Sequence, residues 1–590
     1  MSILASLARA YDRLPDAPPY GFSTEKIGVV VSLNIDGSVA SVSDIREVSG
    51  KKKTPPTMLV PQAVKRTAGI APNFLWDKTS YVLGVTAGEG KRTADEHAAF
   101  VSRHEADLAA TEDVGLKALL LFLRSWTADQ FVPPFWQEDM KDQNVVFALE
   151  SDRLRHIRLH DRQATRELWA GLFVQGGKED QICLVTGKAG PVARLHPSIK
   201  GVWGAQSSGA ALVSFNLDAF ESYGHEQGDN APVSEAAAFA YTTALNRFLE
   251  RDSGHRIQIG DASTVFWADA SEAHSDAADV AERLFGMMLD GPATNLDENM
   301  QADKVGDILT KIREGRRVAS FAPDLAEGVR FYVLGLAPNA ARLSIRFHFE
   351  DDFGVLAKNY QQFIADMRVE PSPREGYPPL WRYLNETAVL GKRENVAPNL
   401  AGEWMRAILA GTHYPLTLMS SVLTRIRADG EINALRVGIL KALLVRNFKL
   451  EAPVALDPDC KNRGYLLGRL FATYEQIQSA ALGPKLNATI KDKFYGSASS
   501  QPRKVFATLD AGSVNHLSKV RKASPGWEIN LQRQIREIMD LMTPSDDPLQ
   551  DPYPASLNAQ EQAYFGLGYH HQRSEAFKSR KTEVSGETAE

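Results

Sequence analysis

Only two cysteines, Cys183 and Cys460, occur in 590 residues, and they stand far apart. They form no metal-ligand spacing and no disulfide framework, so the fold is expected to rest on its hydrophobic cores alone. Two reduced thiols point to a cytoplasmic setting. No apolar run approaches the ~18–20 residues of a membrane span. The opening MSILASLARAYDRL lacks the charged start and apolar block of a secretory leader. Internal repeats and low-complexity tracts are absent too, which excludes solenoids and linker-like chains. What remains is a globular composition, 44% hydrophobic and 24% charged, long enough for about two to four domains.

Net charge is −6, but it is unevenly spread: residues 420–525 hold 17 Lys+Arg against 8 Asp+Glu. A basic stretch in an acidic chain is a candidate footprint for a polyanion, and equally a set of solvated helix faces.

Hydrophobic periodicity divides the chain. Residues 27–45, IGVVVSLNIDGSVASVSDI, read as two strands joined at Asp36-Gly37, a hairpin signal. Further strands are expected at 145–149, 182–186, 264–268, 330–336 and 341–349. In the last, Leu343, Ile345, Phe347 and Phe349 alternate with polar residues. Helical patterns fall at 94–126, 234–250, 277–290 and 354–367. Residues 370–379, EPSPREGYPP, carry four prolines and read as a linker, since proline continues neither helix nor central strand. Beyond it, helices are expected at 401–412, 416–447, 460–482, 503–522, 527–542 and 557–580. The expected class is α+β: a mixed α/β N-terminal region over 1–369, the linker, and an all-α bundle over 380–590.

Catalytic motifs fail on spacing. In GVTAGEGKRT (84–93), Gly84 lies one residue too far from Gly90-Lys91, and Arg92 takes the hydroxyl position of a phosphate loop. Gly204 and Gly209 around Ser207 and Ser208 are five apart, whereas a nucleophile elbow needs four. His160-Asp161 has no companion cluster, and His570-His571 are adjacent rather than three or four apart. For a nuclease or nucleotide hydrolase, the nearest carboxylate groups are Asp457/Asp459 and Asp546/Asp547/Asp551, both in proline-rich connections. No cofactor is indicated.

Polar clusters are better candidates. The segment 200–232 gathers Lys200, Gln206, Ser207, Ser208 and Asn230 among glycines, where a core segment would place Val, Leu and Ile. Small residues let backbone approach another molecule, and amides and hydroxyls read hydrogen-bond patterns. An ordinary Gly/Ser turn is the alternative. Lys51, Lys52 and Lys53 lie between Gly50 and Pro55-Pro56, with Arg66 soon after, as a clamp for phosphates or a solvated loop. Asn73 beside Phe74 and Trp76 could read a base edge or sit in a buried turn. In the bundle, Arg463, Lys491, Lys493, Arg503, Lys504, Arg521 and Lys522 interleave with Tyr474, Phe494, Tyr495 and Phe506. That is the composition of a surface tracking single-stranded nucleic acid.

Five segments together resemble the large subunit of type I-C (Dvulg-subtype) CRISPR Cascade. They are KKKTPPTMLVPQAVKRTAGIAPNFLWDKTSYVLG at 51–84, SFNLDAFESYGHEQGDNAPVSEAAAFAYTTALN at 214–246, STVFWAD at 263–269, LGLAPNAARLSIRF at 334–347 and FGLGYHHQR at 565–573. The resemblance implies a non-enzymatic subunit of an RNA-guided antiviral surveillance complex. Guide RNA reads target double-stranded DNA, while the large subunit reads the protospacer-adjacent motif (PAM), opens the duplex and stabilises the displaced strand of the R-loop. Implied partners are the guide RNA, the Cascade backbone, handle-processing and small subunits, and a recruited helicase-nuclease, with no membrane. The small subunit is implied to be the C-terminal region made by internal translation. On chemistry, Asn73, Lys200, Gln206, Ser207, Ser208 and Asn230 are the candidates for motif reading. The lysines and arginines named above are the candidates for phosphate binding.

Overall fold

The structure, a computed structural model, describes all residues except 1, 15–16, 50–51, 65, 67–68, 175–179, 271–274, 290–299, 375, 484–487, 543–552 and 587–590. Packing divides it into two compact units. One comprises Met1–Pro197 and Val213–Leu245, the other Ser198–Leu212 and Asn246–Glu590.

The first unit is built on a four-stranded sheet in the order Val39–Asp44, Val29–Leu33, Asn144–Leu149, Trp76–Lys78. Val29–Leu33 runs parallel to Asn144–Leu149, and the other pairings are antiparallel. Every residue of Val29–Leu33 is buried, because both faces of this central strand are covered. Val29, Val31 and Leu33 enter a core with Phe74, Phe100, Phe122, Phe147 and Trp169, while Val30 joins Ile27, Val60, Trp76 and Val146 behind. The hairpin expected at Asp36-Gly37 forms. The Asp36 carboxylate accepts from the Ser38 backbone (2.9 Å) and hydroxyl (2.6 Å). Gly37 takes φ +84°, and a Cβ there would lie 2.5 Å from Leu121.

The second unit begins from an antiparallel sheet, Arg256–Ile259, Ala262–Ala270, Val329–Asn339, Arg342–Asp352. One hydrophobic core runs from this sheet through the helices to Tyr569. The proline-rich stretch 370–379 lies within this unit, where the Glu370 N–H donates to the Val454 carbonyl at 2.7 Å. The helices Arg463–Leu482 and Ala559–Gly586 meet at backbone distance. An ideal Cβ on Gly464, Gly468 or Gly568 would stand 2.3, 2.1 or 2.0 Å from the facing helix's carbonyl oxygen. Only hydrogen fits there. A buried Asp366–Arg446 pair (2.6 Å) links Phe353–Met367 to Ala434–Arg446, and the Tyr414 hydroxyl donates to the same carboxylate at 3.0 Å.

The structure bears out a mixed α+β fold and corrects several element limits. The strand expected at 182–186 ends at Ile182, and residues 184–186 turn. The pattern at 94–126 is two helices, Thr93–Asp107 and Val114–Ser125. The second is capped by Asp113, whose carboxylate accepts from the Gly115 and Leu116 N–H groups. That at 416–447 breaks at Gly430, a left-handed C-cap. Strict alternation in 341–349 fails at Ile345, which is 47% exposed. Ile345 pairs with Leu336 and Phe347 with Gly335, leaving Arg346 as an extra residue. The bulge sends Ile345 and Phe347 to opposite faces.

Candidate nucleic-acid interface

Residues 198–212 form a loop pinned at its base. Ile199 and Ala210 exchange both backbone hydrogen bonds, at 2.9 and 2.8 Å. Gly209 is left-handed there (φ +95°), and a Cβ would fall 2.9 Å from the Ile199 carbonyl oxygen. Further out the chain makes two successive turns. The Ala205 N–H bonds the Val202 carbonyl (3.1 Å), and the Gly209 N–H bonds the Gln206 carbonyl (2.9 Å). Asn246 accepts from the Lys200 N–H at 2.7 Å and donates to the Ser198 carbonyl, anchoring one side. Lys200, Gln206, Ser207 and Ser208 are all exposed on this frame. The structure brings these four sequence candidates together.

Asn73 and Asn230 lie in the other unit and are spent inside it. Asn73 is buried, its amide oxygen accepting from the Val64 N–H at 2.9 Å. Asn230 accepts from the Ser222 N–H and donates to the His225 and Gln227 carbonyls, each at 3.0 Å, so it ties its loop together. Arg66 is bonded to the buried Asp77 carboxylate and the Ala71 carbonyl, with its guanidinium 4.1 Å from the Tyr81 ring centroid. The strand Lys52–Thr54 pairs with Glu47–Ser49. Lys53 ends between Asp44 (2.9 Å) and Asp139 (2.7 Å), beside Arg46. Those carboxylates, Asp139 foremost, raise its pKa. Lys51 and the side chain of Lys52 lie outside the described residues.

In the bundle the cations separate by exposure. Arg463 is half-buried, and Lys491, largely covered, lies 3.8 Å from Asp492. Arg503 is exposed, but its Nε donates to the Tyr553 carbonyl at 3.1 Å. Lys493, Lys504, Arg521 and Lys522 are exposed, as is Lys519, which sequence reasoning passed over. Lys504 stands in the first turn of the helix Pro502–Ala523, and Arg521 and Lys522 in the last. At 1.5 Å per residue these ends are about 27 Å apart. The aromatics interleaved with them are not a stacking surface. Tyr474, Tyr495 and Phe506 are buried in the core, and Phe494 packs against it. Helical periodicity sends the rings inward and the cations outward.

Other sites considered on sequence resolve as packing. His571 is buried against the Tyr465 hydroxyl (3.0 Å), and burial lowers the pKa of His570 to about 4. The near-phosphate loop lines a hollow of about 600 Å³ with Thr93, His97 and Lys141. Its own Lys91 is instead paired with exposed Glu89 at 2.9 Å. Asp457 accepts from the Asp459 N–H at 3.0 Å, a local turn, and Asp546, Asp547 and Asp551 lie outside the described residues. Among the described residues no group of three or more potential metal ligands is gathered, and no helix is long and apolar enough to cross a membrane.

A family model described as CRISPR-associated protein (Cas_Csd1) matches residues 7–577. That span is nearly the whole chain, and the chain belongs to the Csd1 family, as a Cascade large subunit. A comparison with curated proteins returns no match.

Proposed function

We propose that this chain is the non-catalytic large subunit of a type I-C Cascade. In this reading it recognises the protospacer-adjacent motif on target double-stranded DNA through the 198–212 loop and aids opening of the duplex. The observation that carries the reading is the loop's construction. A base closed by paired hydrogen bonds and left-handed glycines holds one cation, one amide and two hydroxyls outward. Donors and acceptors held in fixed positions can distinguish base edges in a groove, and backbone without side-chain bulk can enter a narrow one. Gln206, Ser207 and Ser208 supply that readout, and Lys200 supplies a phosphate contact. Asn73, Asn230, Lys53 and Arg66, each engaged within the first unit, are not assigned a nucleic-acid contact in this reading.

Exposed Lys493, Lys504, Lys519, Arg521 and Lys522 hold phosphates of the displaced strand or the guide RNA. The backbone, handle-processing and small subunits are the partners that this role requires, and a helicase-nuclease supplies the cleavage that the chain itself does not perform. The test replaces Gln206 and Ser208 together by alanine in the assembled, guide-loaded complex. Discrimination between a correct and a scrambled adjacent motif is expected to fall by about thirtyfold or more, since two base contacts are lost at about 1–3 kcal/mol each. Undiminished discrimination would sink the assignment of motif reading to this loop.

A further inference from the structure

Trp203 stands at the outer corner of the same loop and is 60% exposed. Six of the nine tryptophans are buried, and the next most exposed, Trp381 at 37%, lies beneath the Arg382 guanidinium. Trp203 has no such cover: no ring, cation or hydrogen-bond acceptor among the described residues engages its indole. Its backbone, by contrast, is held firmly. The Trp203 N–H donates to the hydroxyl of fully buried Ser263 at 2.9 Å. Val202 before it is buried, and Gly204 after it takes φ +77° as the third residue of the Val202–Ala205 turn. A turn with a left-handed third residue requires glycine there and projects the second residue outward. The ring is thus presented, not merely left uncovered.

We propose that Trp203 stacks on a nucleobase, with Lys200 engaging a neighbouring phosphate; this rests on the loop's reading as the DNA-contacting element. Every base offers a flat π-face, so an aromatic ring beside hydrogen-bonding groups adds binding at any sequence while the polar side chains discriminate. The loop's surroundings favour a nucleic acid over a protein partner. Residues 198–212 contain Lys200 and no Asp or Glu, and the exposed neighbours Lys200, Gln206, Ser207 and Ser208 are polar. A tryptophan that anchors a protein interface sits in a desolvated apolar patch. The base could come from the opened end of a duplex or from a strand already single.

The test compares Trp203→Leu and Trp203→Phe in the full chain assembled with guide RNA and its companion subunits. Two probes are used: a target duplex with its adjacent motif, and the same target as a single strand. Leucine keeps apolar bulk without a π-face, and phenylalanine keeps the face. Trp203→Leu is expected to weaken binding by about fivefold to 150-fold, with Trp203→Phe within about threefold of wild type and thermal unfolding unchanged. Loss on the duplex alone assigns the base to the opened duplex, and loss on both probes assigns it to either strand state. Unchanged affinity with Trp203→Leu overturns the proposal. So does loss of a companion subunit from the leucine variant, which would make the ring a protein anchor. Wild-type complex that binds neither probe overturns the reading of the loop itself.

Discussion

Single side chains in this protein show how burial decides chemistry. His104 is fully buried between Phe74 and Phe100. Its Nδ1 faces the Phe100 carbonyl at 2.7 Å, and its Nε2 accepts from the Leu75 N–H at 2.8 Å. The ring must therefore be neutral with its proton on Nδ1. Burial lowers its pKa to about 3. In the unfolded chain the same ring takes up a proton near pH 6.5. Between those values the unfolded state binds more protons, so stability is complete above about pH 6.5 and declines as pH falls towards 3. At pH 5 the share from His104 alone amounts to about 2 kcal/mol. Denaturant unfolding at pH 7.5 and 5.0 checks this: in His104→Gln the difference between the two pH values is expected to shrink by about that amount. An equal difference in variant and wild type would refute the neutral-ring assignment. The exposed side chains of the loop are the opposite case, since there solvent and a partner, not the core, decide what each group does.

Helices and strands depend on glycine at a few positions for different reasons. Gly468 permits close approach: its missing Cβ would lie 2.1 Å from the Phe565 carbonyl oxygen and 2.8 Å from the Tyr569 nitrogen. Gly468→Ala forces the helices Arg463–Leu482 and Ala559–Gly586 apart and is expected to cost about 1–3 kcal/mol, the usual penalty of overpacking. Gly496, in the helix Ile490–Ala498, has open space where a Cβ would go. Gly496→Ala is therefore expected to be neutral or to stabilise by up to about 1 kcal/mol, through helix propensity. Thermal unfolding of the two variants side by side measures both signs. Equal effects would show that contact distance between the helices is not what Gly468 provides. The bulge at Arg346 makes a related point for strands, because one extra residue reverses which face the side chains before it occupy.

For the whole molecule, charge placement matters more than net charge. The overall value is −6, yet Lys493, Lys504, Lys519, Arg521 and Lys522 are exposed on the bundle, whereas Lys53 is held by two carboxylates. Replacing these five by glutamine in the assembled complex is expected to weaken DNA binding at every sequence. The slope of log affinity against log salt should flatten by about 0.7 to 0.9 for each phosphate contact removed. A motif-selective loss with an unchanged slope would instead place these side chains at base edges.

Much of the architecture was legible before folding was considered. Alternation marked the strand at 341–349 although a bulge breaks it at Ile345, the Asp36-Gly37 pair marked a hairpin, and 3.6-residue periodicity marked the helices of the bundle. Each is a local signal, because backbone geometry and one-sided burial act over a few residues. The ordered resemblance across the chain led to the family, since many weak local matches accumulate. Site residues were another matter. Nothing in their one-dimensional setting separates Asn73, buried in a turn, from Gln206, exposed on a loop, or Lys53, held by two aspartates, from Lys504. Asp44, Asp139 and Ser263 lie 9, 86 and 60 residues from the groups they bind. Composition and periodicity belong to neighbours in sequence, and so the chain itself determines class and element. Exposure and pairing belong to neighbours in space, so only the folded protein could decide that Lys200, Trp203, Gln206, Ser207 and Ser208 are all left exposed on an anchored loop.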